Sequence, residues 1–204
     1  MNVQIFTPKN FFGSNMYLIY SEKEAAVIDP SMKYNVLKDR ILENGLTVKY
    51  IILTHAHFDH MLEIYDWAEN TGAEVIIGYE EAEGLSDSTL NCYRHFFHCD
   101  KGYYGKYTTV DDGDLLTLSD EKIKVISTPG HTRGSITLLT GDSLFTGDLI
   151  FADGNYGRCD LPGGDIYTLA LSISKICELD GSLTVYSGHG PKTNLEEYKR
   201  NRRI

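Results

Sequence analysis

The sequence predicts a layered α/β fold with sheets inside and helices outside, and three observations carry that reading. Short apolar blocks separated by turn residues come in series, as strands do. Stretches with apolar residues at helical spacing fall between and after those series. The clearest helical period in the chain follows Gly163-Gly164-Asp165.

Taken in order, Val3–Phe6, Met16–Tyr20 and Ala25–Ile28 read as an opening strand meander, broken by Gly13-Ser14-Asn15 and by Asp29-Pro30. Tyr34, Leu37 and Ile41 recur at helical spacing, and Gly45 stands where a helix would end. Lys49–Leu53 is a buried-type strand that runs into a His-rich loop; Met61, Ile64, Tyr65 and Ala68 predict a helix beyond it, and Val75–Ile77 the next strand. From Glu83 to Thr109 no period is visible: Tyr93, Phe96, Phe97, Tyr103, Tyr104 and Tyr107 are scattered among polar residues and glycines, as a satellite core or as an aromatic wall over a pocket. Strands follow at Leu115–Leu118, Ile123–Ser127 and Ile136–Leu139, with a tight turn at Thr140-Gly141-Asp142 before Ser143–Thr146. Ile166, Leu169, Ala170, Ile173, Ile176 and Cys177 then line one helix face, with Asp165 placed to cap the first turn. Leu183–Tyr186 is the last strand, and a polar helix around Glu196–Lys199 follows it.

At 204 residues the chain is long enough for a substantial core, and residues 1–204 are expected to form a single domain. Hydrophobic residues make up 42% and charged residues 24%, which is ordinary globular composition, and no apolar run suggests a membrane span. The first residues do not read as a secretion signal, so the expected location is cytoplasmic. Cys92, Cys99, Cys159 and Cys177 show no CxxC pair and are expected to be reduced thiols. A formal charge of −10 argues against a nucleic-acid partner, and the short basic tail Lys199-Arg200-Asn201-Arg202-Arg203 reads as a solvated end. No membrane partner is expected either; the oligomeric state is not legible.

The chemistry is concentrated in His55-Ala56-His57-Phe58-Asp59-His60, where three His and one Asp sit on one loop after a predicted strand. Imidazole and carboxylate are the ligands that zinc and similar borderline cations take. A single His has many structural uses; four such groups within six residues point to a metal. Three more candidates each follow a predicted strand and are flanked by glycine: His131 in Pro129-Gly130-His131, Asp148 in Gly147-Asp148, and His189 in Gly188-His189-Gly190. His95 and His98 lie outside this pattern and read as surface residues, and Cys159 as an inert thiol.

Through these segments, and through Asn15-Met16-Tyr17-Leu18-Ile19, Val27-Ile28-Asp29-Pro30, the run from Gly157 to Asp165, and Gly188-His189-Gly190-Pro191-Lys192-Thr193, the chain resembles the metallo-β-lactamase superfamily. Asp160-Leu161-Pro162-Gly163-Gly164-Asp165 makes it similar, within that superfamily, to the hydroxyacylglutathione hydrolases (glyoxalase II) and their short bacterial relatives. The resemblance implies a four-layer αββα sandwich with the site at one edge. It implies that His55, His57 and His131 hold one metal, that Asp59, His60 and His189 hold a second, and that Asp148 bridges both. Asp29 and Thr54 would orient ligands from behind. Met61-Leu62 stands where relatives often have glycines. The helical domain with which long glyoxalase II enzymes bind glutathione is not in this sequence, so weak selection for the glutathione moiety is expected.

Two divalent ions, most simply zinc with iron or manganese as alternatives, spaced roughly 3.5–4 Å apart can hold a bridging hydroxide near neutral pH. That nucleophile would attack a thioester carbonyl, with Asp59 orienting it and accepting its proton; a thiol of pKa about 8.5 leaves readily as thiolate. Arg158 is the candidate contact for an anionic small-molecule substrate, with a buried structural ion pair as its other reading. Two alternatives stay open: a mononuclear iron persulfide dioxygenase using His55, His131 and Asp148, and a non-catalytic metal-binding domain. A common dizinc β-lactamase would have Cys at position 148, and a flavodiiron protein Glu at position 56; this chain has Asp148 and Ala56.

Overall fold

In a computed structural model, residues 1–9 and 13–203 are described. Two six-stranded sheets form the centre. The first comprises β1 (Asn2–Phe6), β2 (Met16–Ser21), β3 (Glu24–Ile28), β4 (Thr47–Ile52), β5 (Glu74–Gly78) and β6 (Thr108–Val110), side by side in that order. The second runs in reverse order, from β12 (Thr193–Asn194) through β11 (Thr184–Ser187), β10 (Ser143–Gly147), β9 (Ile136–Thr140) and β8 (Glu121–Ser127) to β7 (Leu115–Leu118). Helices α1 (Lys38–Glu43), α2 (Ile64–Thr71) and α3 (Tyr93–Phe97) belong to the first half, α4 (Ile166–Cys177) and α5 (Leu195–Asn201) to the second.

Side-chain alternation along the strands builds three apolar layers. Tyr17 and Ile19 of β2, Ile28 of β3 and Ile52 of β4 point inward against Val125, Leu138 and Phe145 of the second sheet. Their neighbours Leu18, Val27 and Ile51 point outward and meet Ile41, Ile64 and Trp67 under the first helical layer. On the far side Leu144 and Val185 pack against Leu169, Ile173 and Tyr198 of α4 and α5. The central strands are therefore buried on both faces, which is why they read as continuous apolar runs. This is the αββα sandwich expected.

Local signals hold where a specific residue enforces them. Asp165 accepts from the Thr168 amide and caps α4, and Gly45 takes the left-handed conformation behind α1. Three expectations are corrected. Met61 lies in the turn before α2, which starts only at Ile64. The helix expected from Tyr34 begins as a separate turn of 3-10 helix, Tyr34–Val36. The aperiodic middle stretch contains α3 and β6, and α3 is short because Cys92 and His98 at its two ends are both left-handed.

Parallel pairing sets the site. β3 pairs parallel with β4, as does β10 with β11, and β8 runs the same way as β10 because each is antiparallel to β9. The carboxyl ends of all five strands open on one edge of the sandwich, where backbone is free to turn toward a ligand.

Candidate metal centre

Each of those five ends delivers part of the site. Asp29 follows β3, the loop from Thr54 to His60 follows β4, His131 follows β8, Asp148 follows β10 and His189 follows β11. The loops are tied across the two sheets by Asn15, whose amide nitrogen donates to the carbonyls of Ser187 (3.0 Å) and Gly190 (2.8 Å), and by the Tyr17 hydroxyl, which donates to the same Ser187 carbonyl. Glycine is obligatory beside the ligands: a β-carbon at Gly188 would stand 2.1 Å from Asp148 Oδ1 and 2.6 Å from His60 Cε1.

All seven residues singled out in the sequence converge. His55 Nε2, His57 Nδ1 and His131 Nε2 form a triangle with sides of 3.1, 2.9 and 3.2 Å. Beside it, His189 Nε2 lies 3.1 Å from Asp59 Oδ2, and His60 Nε2 lies 3.7 Å from the same oxygen. Asp148 stands between the two groups: its Oδ2 is 3.7 Å from His131 Nε2 and 3.5 Å from His189 Nε2, and its Oδ1 is 3.5 Å from His60 Nε2.

Hydrogen bonding fixes which ring nitrogens carry protons. Thr54 Oγ1 donates to Asp29 Oδ2 (2.8 Å), so toward His55 Nδ1, 3.1 Å away, it can only accept. His60 Nδ1 donates to that same Asp29 oxygen at 2.8 Å, and His131 Nδ1 donates to the Arg158 carbonyl at 2.6 Å. In the neutral rings that a metal would bind, the Nε2 atoms of His55, His60 and His131 are thereby left as lone pairs. One buried carboxylate, Asp29, thus sets two imidazoles, one in each group, directly for His60 and through Thr54 for His55.

This arrangement passes the test for metal ligation on its own geometry. Whatever proton His57 holds, His55 Nε2 and His131 Nε2 are two acceptors 3.2 Å apart, which repel unless a cation lies between them. Tetrahedral ligands at Zn–N ≈ 2.0–2.1 Å stand roughly 3.3 Å apart, close to the triangle observed. His60 Nε2 and Asp148 Oδ1 are buried with no hydrogen-bond partner, which is costly for any polar atom not reserved for a ligand. The groupings able to hold a metal are His55–His57–His131, His55–His60–Asp148 and Asp59–His60–His189.

The electrostatics differ between the groups. Burial, and then the unfavourable proximity of the other histidines, push His55 well below the ordinary histidine value and His57 down to about 3. At His60 burial acts in the same direction but is outweighed by Asp29, Asp59 and Asp148, so its value lies well above the ordinary one. His189 is raised too, against burial, chiefly by Asp59. Asp59 and Asp148 are lowered: burial opposes this, but His60 above all outweighs it.

Outside the ligands, Arg158 lines the cavity as expected, but its guanidinium is half exposed and held by both oxygens of Asp160 at 2.8 and 2.7 Å, so the ion-pair reading is also correct, at the surface rather than buried. Its backbone carbonyl, which holds His131, was not anticipated. Nor was Glu81, a buried carboxylate that accepts from Ala56 N (2.9 Å), Thr132 Oγ1 (2.8 Å) and Gly134 N (2.9 Å), joining the His55–His60 loop to the His131 loop. Burial raises its pKa against those three bonds. A run of Glu at positions 80, 81 and 83 reads as solvated surface, and only the three-dimensional partners distinguish Glu81. His95 and His98 are exposed and outside the groupings able to hold a metal, and the four cysteines are free. No helix among the described residues is long and apolar enough to cross a membrane.

The chain is 32% identical over 211 residues to the hydroxyacylglutathione hydrolase GloC of Haemophilus influenzae, covering 98% of this chain and 96% of that one. Among solved structures it is similar to the B3 metallo-beta-lactamase BLEG-1, with a TM-score of 0.89 and 30% identity over 98% of this chain and 97% of that chain. It is also similar to TTHA1623, solved in a di-iron-bound form, with a TM-score of 0.83 and 27% identity over 99% of this chain and 98% of that chain. The model of the metallo-beta-lactamase superfamily, whose members are generally metal-dependent hydrolases, matches residues 10–189. With its fold, its seven converging His and Asp residues and this match in view, the chain belongs to the metallo-beta-lactamase superfamily.

Proposed function

We propose that this protein is a binuclear metal-dependent thioester hydrolase of the hydroxyacylglutathione type, with His55, His57 and His131 holding one divalent ion, Asp59, His60 and His189 the other, and Asp148 shared. The observation that carries it is Asp148, whose two oxygens face both groups of ligands at 3.5–3.7 Å. Zinc suits the all-nitrogen triangle, and iron or manganese the carboxylate-richer group. Such a pair supplies a water ionised near neutral pH and positive charge for the developing oxyanion.

The chain's own residues do the rest. Asp59 lines the cavity and is held in its ionised form, so it orients the attacking water and takes its proton. Asp29 and Thr54 keep the lone pairs of His55 and His60 aimed inward. Water oxygen bonds to the acyl carbon and the C–S bond breaks, giving a carboxylic acid and a thiolate; a thiol of pKa about 8.5 needs no strong general acid to leave. The Arg158 guanidinium, at the rim, meets an anionic part of the substrate in competition with Asp160.

The reading is tested by assaying metal-loaded protein against thioesters, including S-lactoylglutathione, and against glutathione persulfide with oxygen-uptake detection. Thioester hydrolysis without oxygen uptake is expected. Oxygen uptake by a protein carrying one iron per chain would replace this reading with the dioxygenase, and bound metal with no turnover of either class would leave a binding domain.

A further inference from the structure

Two cavities meet at the metal centre, and they differ in chemistry. One, of about 400 Å³, is bounded by the ligands on one side and on the other by Phe58, Cys92, Phe96, Phe151 and Leu161. The other, of about 800 Å³, shares Phe151 and His189 with the first but continues past Asp153, Asn155, Lys192, Thr193 and Glu197. Both are of the size that small-molecule sites have. A substrate whose reacting carbon sits at the ligands has one arm in a largely apolar chamber and one in a groove of mixed lining, where those polar and charged side chains alternate with Ala152, Tyr156 and Pro191.

Beyond the metal-site residues, the side chains that wall the chamber, Phe58, Phe96, Phe151 and Leu161, offer no partner to a hydroxyl. The Cys92 thiol, a weak donor, points to the Leu90 carbonyl at 3.7 Å, and the Arg158 guanidinium at the edge of the chamber is engaged by Asp160. Its wall is also pre-formed: the Phe58 ring packs against Tyr93, Phe96 and Phe97 with centroids 5.5, 5.4 and 5.1 Å away, and Leu161 is largely buried. Burying a hydroxyacyl group there would leave its oxygen unpaired, whereas an alkyl or aryl group would gain contact along its length.

We infer that the chamber takes the acyl arm, so that the substrate is a thioester of an apolar acid, a medium-length aliphatic or an arylalkanoic one, with its polar thiol arm lying in the groove toward Lys192 and Thr193. This rests on the thioester reading above and sets the acyl preference within it, with larger apolar acyl groups turned over faster than small hydroxyacyl ones. The reaction is the same hydrolysis, releasing an apolar carboxylic acid and a polar thiol.

The test is a series of N-acetylcysteamine thioesters on metal-loaded protein: acetyl, butyryl, hexanoyl and lactoyl, with the thiol constant. Each added methylene is expected to raise kcat/KM by about threefold to fourfold, and lactoyl to fall at least about tenfold below butyryl. In Phe96→Ala and Leu161→Ala the hexanoyl-to-acetyl ratio should shrink. A flat series, a preference for lactoyl, or a rate that rises with apolar thiols instead of apolar acyl groups would overturn the inference. If no thioester is turned over, the hydrolase reading fails, and calorimetric binding of acetate, butanoate and hexanoate to the same protein decides the chamber alone: affinity rising with chain length supports it, and equal affinities refute it.

Discussion

The two groups of ligands are built differently. His55, His57 and His131 are almost entirely buried, all nitrogen, and packed ring against ring, with centroids 4.6–4.7 Å apart. Asp59, His60 and His189 mix carboxylate with imidazole, and His189 is 42% exposed on a loop tied to the opposite sheet through Asn15. The first group is a rigid nitrogen cage assembled on folding; the second is completed by a residue that water reaches. Preorganisation therefore predicts a tighter, slower-exchanging ion in the cage and a weaker one in the mixed group, with Asp148 coupling them.

Substitution should separate the groups. Asp148→Ala removes the shared carboxylate and is expected to weaken both sites and lower turnover by at least about a thousandfold, whereas His189→Ala should empty the mixed site while the cage keeps its ion. Elemental analysis after equilibrium dialysis reads both, and equal losses in the two variants would break the comparison. A smaller effect, common to both groups, is expected from Asp29→Asn. Its Oδ2 accepts from Thr54 and His60, so an amide nitrogen placed there would disturb one imidazole in each group. A metal affinity lower by about 10–100-fold at both sites is the expected scale; loss at the mixed site alone would show that the path through Thr54 to His55 is idle.

The centre was legible in the sequence because its ligands are chelating residue types crowded into short loops after strands, and coordination chemistry leaves few other uses for His55, His57, Asp59 and His60 together. The sandwich was legible because strands buried on both faces have no polar positions to spare, as in Tyr50-Ile51-Ile52-Leu53. What escaped was held by partners remote in the chain. Glu81 looks like one acid in an acidic stretch until Ala56 and Gly134 donate to it from two other loops. The stretch around α3 has no period because its aromatics serve different surroundings: Tyr93 and Tyr103 are core, Phe96 faces the cavity, and Tyr104 and Tyr107 face water.

Protonation sharpens the contrast most finely. In the metal-free protein His57 is expected to stay neutral until about pH 3 when folded, yet to take a proton near 6.5 when unfolded. The fold then loses stability as pH falls from about 6.5 toward 3. His60 and His189 act in the opposite sense: their raised folded values give stability that is present below about 6.5 and lost as pH rises through those values. Imidazole nitrogen NMR of the metal-free protein at neutral pH should find His60 charged and His57 neutral; a common titration near 6.5 would deny the difference.

The central claim, two ion sites joined by one carboxylate, is tested most directly by metal stoichiometry of the unmodified protein. Titration of the metal-free chain with zinc, followed by calorimetry, should give two ions per chain in two resolved steps, the tighter assigned to the cage by its survival in His189→Ala. Saturation at one ion per chain would contradict it.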